Sequence, residues 1–253
     1  MISVIGLGEL GSEVFKEIAN KEKDVVGVDV DASRLNALKS GVFNVSSEAP
    51  ASDVYVICVY LSEQVLEVIR NLDYSRNPLV VVESTLVPGT CRKILDFKNE
   101  NNLDFDFVYF GHRFSQNDPE HHIFNQPRVM GGDNVSIKRA TKFFSQFMDA
   151  GLIHTTSVGI AELSKPLENA YRFMEIAFAE QLKMLCSKKG IDFEQLRYAV
   201  NTKWNIGIKE VHTGIGGRCL PKDTKIINEF FPDNKMIKAA IEIDEEYKKC
   251  QKQ

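Results

Sequence analysis

Ile2-Ser3-Val4-Ile5-Gly6-Leu7-Gly8-Glu9-Leu10-Gly11 decides the fold. The first four residues read as a short strand. The glycines that follow open an amphipathic helix through Val14, Phe15, Ile18 and Ala19. A lone GxGxxG carries little information, but at a strand-to-helix turn it is the phosphate-binding arrangement of a dinucleotide fold. Gly6 permits the tight turn, Gly8 admits a pyrophosphate to the helix N-terminus, and Gly11 lets helix pack on strand. A second strand, Asp24 to Asp29, ends in an acid 18 residues after Gly11. Asp29 is expected to accept hydrogen bonds from the adenosine ribose, and its charge opposes a 2′-phosphate, so the expected cofactor is NAD rather than NADP. Glu9, Leu10, Arg34, Val59 and Thr85 join Gly6, Gly8, Gly11 and Asp29 as expected cofactor-binding positions.

Working outward, strands and helices keep alternating. Val54 to Val59 is a strand, Glu63 to Ile69 a helix and Leu79 to Val82 a strand, after which Pro88 sits in the first turn of a helix. Phe105 to Phe110, Arg128 to Gly132, a helix from Ser136 to Met148 and a strand from Leu152 to Thr155 complete the pattern. It predicts an α/β fold, a Rossmann doubly wound parallel sheet over residues 1–158. Such sheets bind ligands beyond the carboxyl ends of their strands, which singles out Tyr60-Leu61-Ser62 and Glu83-Ser84-Thr85. Thr85 either holds a ligand hydroxyl or water, or bonds its own backbone at a helix start.

From Ile160 the sequence turns to a long helical run reaching about Lys189, the start of a smaller all-helical domain over residues 159–253. Lys165, Asn169 and Arg172 fall at i, i+4 and i+7 on one stripe. Pro166 predicts that the helix starts or kinks beside Lys165. A helix from Phe193 to Asn201 and a loop with Trp204 lead to Gly214-Ile215-Gly216-Gly217-Arg218-Cys219-Leu220-Pro221-Lys222-Asp223. A helix is expected after Asp223, then a break at Phe230-Phe231-Pro232 and a charged amphipathic helix. Small residues, a thiol, cations and a carboxylate four positions on are the composition of a shaped pocket. Cys219 acts either as a nucleophile, favoured as thiolate by cations such as Arg218 and Lys222, or as a small buried hydrophobe.

Composition sets limits on function. The 253 residues are 43% hydrophobic and 26% charged, with a net charge of −4, as in an ordinary globular protein. No basic tract suggests nucleic acid, no apolar run approaches the roughly 18 residues of a membrane span, and no signal peptide is read at Met1. Cys58, Cys91, Cys186, Cys219 and Cys250 are scattered and odd in number, as in a reducing cytoplasm. Asp118-Pro119-Glu120-His121-His122 is read as a polar surface loop rather than a metal site, because adjacent histidines diverge and no spaced third ligand follows.

Taken together, Gly6 to Gly11, Glu83-Ser84-Thr85 with Pro88-Gly89-Thr90, Arg128 to Gly132, Ala161 to Lys165 with Glu168 to Arg172, and Gly216 to Asp223 resemble the UDP-glucose/GDP-mannose dehydrogenase family. The resemblance implies oxidation of a nucleotide sugar's primary alcohol to the uronate with two NAD in succession. Cys219 would trap the aldehyde as a thiohemiacetal that becomes a thioester, Lys165 and Asn169 would stabilise oxyanions, and Asp223 and Thr85 would position water. It also implies a homodimer built on the long helix. The family usually carries a further C-terminal domain, whereas about thirty residues follow Asp223 here, and a separate chain that supplies the domain is one of the partners left open. Gly111-His112-Arg113 stands where the family has Pro-Glu-Arg or Pro-Glu-Phe, replacing a carboxylate by an imidazole. Pro166 and a short segment between Asn36 and Asp53 are further departures. Two alternatives stay open: a single-step hydroxyacid-type dehydrogenase using Lys165 and Asn169 without Cys219, and a non-catalytic NAD-binding subunit that works with a partner chain.

Overall fold

The computed structural model describes residues 1–39, 43–114, 118 and 120–251. Pro119 of the acidic histidine segment and residues 40–42 of the short segment before Asp53 therefore lie outside the described residues. The chain divides into two compact units, Met1–Lys165 and Pro166–Gln253.

The first unit is an eight-stranded sheet in the order β3-β2-β1-β4-β5-β6-β7-β8. The strands are β1 (Ile2–Ile5), β2 (Val25–Val28), β3 (Val45–Ser46), β4 (Val54–Ile57), β5 (Leu79–Val82), β6 (Asp106–Tyr109), β7 (Arg128–Gly132) and β8 (Ile153–Thr156). Between them lie α1 (Glu9–Ala19), α2 (Ala32–Lys39), α3 (Ser62–Asn71), α4 (Thr90–Glu100) and α5 (Asn134–Phe144). Alternate strand residues serve opposite faces. Val4, Val56, Val81 and Val108 pack with Phe15 and Ile18 of α1 and Phe144 of α5, whereas Tyr55, Ile57, Val80 and Phe107 pack with Val65 of α3 and Ile94 of α4. Burial on both faces is what makes these strands read as unbroken apolar runs.

The doubly wound sheet is the expected one and mostly parallel, with one reversal, since β7 pairs antiparallel with β6, Val108 opposite Gly132. Among the described residues of 110–127 no helix intervenes, and a strand joined without a crossover helix returns antiparallel. Pro88 does not sit inside the following helix. That helix starts at Thr90 after Gly89, whose φ of 96° suits glycine. Its first turn is capped from far along the chain, for the buried Glu162 carboxylate accepts from the N–H groups of Gly89 and Cys91, both at 2.7 Å.

The helix α6 (Val158–Lys189) includes Pro166 in its interior, so it does not start beside Lys165. One lost backbone bond, about 3 kcal/mol by the usual helix cost of proline, is outweighed by the propagation of 32 residues. The second unit adds α7 (Phe193–Asn201), α8 (Cys219–Phe230) and α9 (Met236–Cys250). Its core joins Phe173 and Ala177 of α6 to Ile215 and Ala240, and Ala179 and Cys186 to Phe193, Val211 and Tyr247. The helix expected after Asp223 already begins at Cys219, with Pro221 tolerated in its first turn.

Glu180 of α6 is fully buried, and neither of its oxygens has a hydrogen-bond partner among the described residues. Burial, aided by Asp244 and opposed by Lys248, raises its carboxyl from 4.5 to about 7. The folded chain then holds a proton that the unfolded chain has released, so stability falls as pH climbs from about 4.5 towards 7 and levels off above. Glu180→Gln is expected to flatten that fall, removing up to about 3 kcal/mol of the difference between pH 5 and pH 8. Thermal unfolding of both proteins at the two pH values reads the effect.

Candidate active site

The sheet order reverses between β1 and β4, and the glycine turn sits at that point. Gly6 has a φ of 91°, and a Cβ on it would lie 2.9 Å from Cys58 and Val59 at the end of β4. A Cβ on Gly11 would come within 1.8 Å of the Gly6 carbonyl, so α1 packs on the turn only because both positions are glycine. Gly8 differs. It precedes α1 without any side-chain cap, and nothing lies within 4 Å of where its Cβ would be. The first intrahelical bond runs from the Ser12 N–H to the Gly8 carbonyl, so the first-turn N–H groups of Glu9 and Leu10 face the open side of a helix N-terminus. Space plus outward N–H groups fit a phosphate, and this is the arrangement a dinucleotide needs.

Asp29 is buried, and its carboxylate is already held. It accepts from the Leu7 N–H at 2.7 Å, the Asp31 N–H at 2.9 Å and the Arg34 guanidinium at 3.1 Å. These bonds fasten the end of β2 to the glycine turn and leave lone-pair capacity for a hydroxyl donor. Arg34, half exposed, also reaches Asp31 at 3.6 Å.

At the ends of β5 and β6 the first unit buries a charged group that the sequence reading passed over. Arg128 of β7 donates to Glu83 at 2.7 Å and to the Phe110 carbonyl at 2.5 Å, with its guanidinium carbon 3.7 Å from the Phe110 ring centroid. Both charged side chains are fully buried. Burial raises the Glu83 carboxyl, an effect that Arg128 opposes. His112 accepts the Phe114 N–H on Nδ1 at 3.0 Å, and its Nε2, 4.0 Å from Glu83, has no hydrogen-bond partner among the described residues. Burial, then the charges of Arg128, Lys165 and His122, hold the imidazole well below its usual pKa. The imidazole is therefore neutral at pH 7. Lys165 closes this unit half-buried, and Thr85, also half-buried, follows β5.

In the second unit, Asn169 of α6 donates its side-chain amide to Asp223 of α8 at 2.6 Å, both residues buried. The other Asp223 oxygen lies 3.5 Å from the Lys222 ammonium. Cys219 stands four residues before Asp223, one turn back on the same helix, and is exposed. It is thus not the buried hydrophobe that a lone intracellular cysteine often is. Asn169, expected to address an oxyanion, has its amide engaged by Asp223, with a second N–H of that amide to offer. The other thiols differ in setting, for burial raises those of Cys58 and Cys91 well above the usual value.

A glycine-turn nucleotide-type unit is joined to a helical unit that presents an exposed thiol one helical turn from a buried Asn–Asp pair, which defines a Rossmann-type fold with a helical second part. The family resemblance read from the motifs holds. Residues 160–246 match the UDP-glucose/GDP-mannose dehydrogenase family, central domain, and residues 2–56 match the TrkA-N domain. Two UDP-N-acetyl-D-mannosamine dehydrogenases, from Methanococcus vannielii and Methanococcus maripaludis, are 27% and 29% identical over 96% of this chain. The chain spans 65% of the length of each. A solved structure of UDP-D-ManNAc dehydrogenase from Pyrococcus horikoshii superposes with a TM-score of 0.84 at 25% identity, covering 97% of this chain and 68% of that one. No helix among the described residues is long and apolar enough to cross a membrane.

Proposed function

We propose that this chain is an NAD-dependent oxidoreductase that converts the primary alcohol of a nucleotide sugar to the uronic acid through covalent capture on Cys219. The observation that carries this reading is the 2.6 Å bond from Asn169 to Asp223, which joins two expected site residues 54 positions apart one helical turn from an exposed Cys219. The names of the relatives point to UDP-N-acetyl-D-mannosamine as the substrate to try first.

NAD, when bound, supplies the hydride acceptor for both oxidations. Gly6, Gly8 and Gly11, with the N–H groups of Glu9 and Leu10, would hold its pyrophosphate; Asp29, Arg34, Val59 and Thr85 would border the remainder. Cys219 adds to the carbonyl carbon of the aldehyde and keeps it from escaping as a thiohemiacetal. Once that adduct is oxidised to the thioester, water attacks the acyl carbon, the C–S bond breaks, and the acid and the free thiol are released. Lys165 and Asn169 stabilise the oxyanions, while Asp223 and Thr85 position the water and the Asp223 carboxylate accepts its proton.

The homodimer belongs to the same proposal. Leu167, Tyr171, Phe178 and Leu185 expose apolar side chains along α6, the last three at heptad spacing, as in a helix that pairs with a second copy. Residence in the reducing cytoplasm, where five unpaired cysteines are stable, completes the reading.

UDP- and GDP-sugars incubated with NAD, scored by NADH formed per sugar consumed, test the function. Two NADH per sugar is expected. One NADH with release of an aldehyde or ketone would select the single-step alternative, and tight NAD binding without turnover the non-catalytic one. The cofactor site has its own check. Gly8→Ala meets no protein atom and is expected to leave thermal stability within about 0.5 kcal/mol while weakening NAD binding at least tenfold. Gly11→Ala, forced against the Gly6 carbonyl, is expected to lose about 1–3 kcal/mol of stability as well. Calorimetric titration with NAD and thermal denaturation separate the two outcomes.

A further inference from the structure

The loop that delivers Cys219 is gripped by the last helix. Asp244 of α9 accepts the Ile215 N–H at 2.8 Å, and Lys248, one turn later, donates to the Ile215 carbonyl at 2.8 Å. The two side chains also bond each other at 2.7 Å, which closes a ring around both peptide groups of one loop residue. Gly214 is required by this arrangement: its φ is 111°, and a Cβ there would lie 2.5 Å from Cγ of Lys248. Tyr247 adds a bond from its hydroxyl to the His212 carbonyl at 2.9 Å, and the buried Ile215 side chain packs with Phe173, Ala177 and Ala240. Beyond this anchor the chain is unencumbered. No atom lies within 4 Å of a Cβ on Gly216 or Gly217, and then come Arg218 and the exposed Cys219.

An ordinary i,i+4 surface pair is worth only a few tenths of a kcal/mol and has no reason to turn inward. Asp244 is instead buried, and both side chains of the pair are spent on the same backbone residue. We propose that Asp244 and Lys248 are positioning residues for Cys219: they fix Ile215 as the point from which the two-glycine spacer carries the thiol to its working place. This rests on the role given to Cys219 above. With the far side of the thiol set by α8 and its Asn169–Asp223 bond, the sulfur hangs between two fixed points with Gly216 and Gly217 as the adjustable part.

The test compares wild type with Asp244→Ala and with Lys248→Met, the second keeping the Asp244 bond to Ile215 in case the first unfolds. Amide hydrogen exchange is followed by mass spectrometry, and iodoacetamide alkylation of the Cys219 peptide is timed. Exchange across residues 215–219 is expected to quicken at least tenfold in Asp244→Ala and severalfold in Lys248→Met, with α8 beyond Ile227 unchanged. The rate of Cys219 alkylation is expected to change at least fivefold. On a turned-over nucleotide sugar, Lys248→Met is expected to lower kcat at least tenfold with KM for NAD within twofold, since the glycine turn is untouched. Exchange and alkylation within twofold of wild type in both variants would overturn the proposal, as would exchange that rises equally along α6, α8 and α9. Failure of the dehydrogenase reading is seen separately, as a wild-type protein that turns over no nucleotide sugar while exchange and alkylation respond as stated.

Discussion

Cys219→Ala is expected to yield no uronic acid: NADH per sugar falls to one or below, and any product found is the aldehyde. The thiol is the group that forms and breaks a bond to the substrate carbon, so its removal takes away the covalent route rather than weakening a contact. Loss of a nucleophile in enzymes of this kind costs on the order of 10³-fold or more, which is beyond repair by the remaining residues. Cys219 is exposed and outside both cores of its unit, so the variant is expected to fold with unchanged thermal stability and to bind NAD as the wild type does. Cys250→Ser, which alters the other exposed thiol, serves as the control with full activity expected. Full conversion to the acid by Cys219→Ala would end the covalent mechanism.

The second large effect is on stability. Glu83→Gln is expected to cost about 3–5 kcal/mol, because it leaves the fully buried Arg128 guanidinium without its counter-charge. Arg128 cannot escape by losing its proton, and its Nε and Nη1 already have no hydrogen-bond partner among the described residues. The double variant Glu83→Gln/Arg128→Met is expected to recover at least half of the loss, since removing both charges leaves neither one stranded. Urea unfolding midpoints for the single and double variants measure this directly. Equal loss in both would mean that packing against Phe110 and Phe144, rather than charge, is what Arg128 contributes.

Local physics made much of the fold readable. The β1 turn into α1 needs only neighbours in sequence, and α7 was legible to the residue because Asp192 caps it, accepting the Gln195 N–H at 3.0 Å. Distant pairing was not. β3 is two residues long and exists because Val45 and Ser46 align with Gly27 and Val28, which no periodicity of its own announces. The reversal at β7 depends on how residues 110–127 return the chain, and Pro166 reads as a break until the length of its helix is known. At the site, the four-residue spacing of Cys219 and Asp223 was readable, but not the helix that sets them one turn apart. The bond between Asn169 and Asp223 spans 54 positions and had no local signal. Glu83 and Arg128 stood inside recognised motifs, yet the 45 positions between them hid that they form one buried pair. A carboxylate and a guanidinium sitting next to strands that are otherwise apolar was the clue available.

The carboxylate of Glu162 has a consequence for handling this protein in pieces. It satisfies two amides that lie more than seventy positions earlier, so the start of α4 depends for its cap on the opening turn of the long helix. A recombinant fragment meant to carry the nucleotide fold by itself therefore has to be cut after Lys165. One terminated at Thr156, where the last strand ends, would leave those amides without that acceptor.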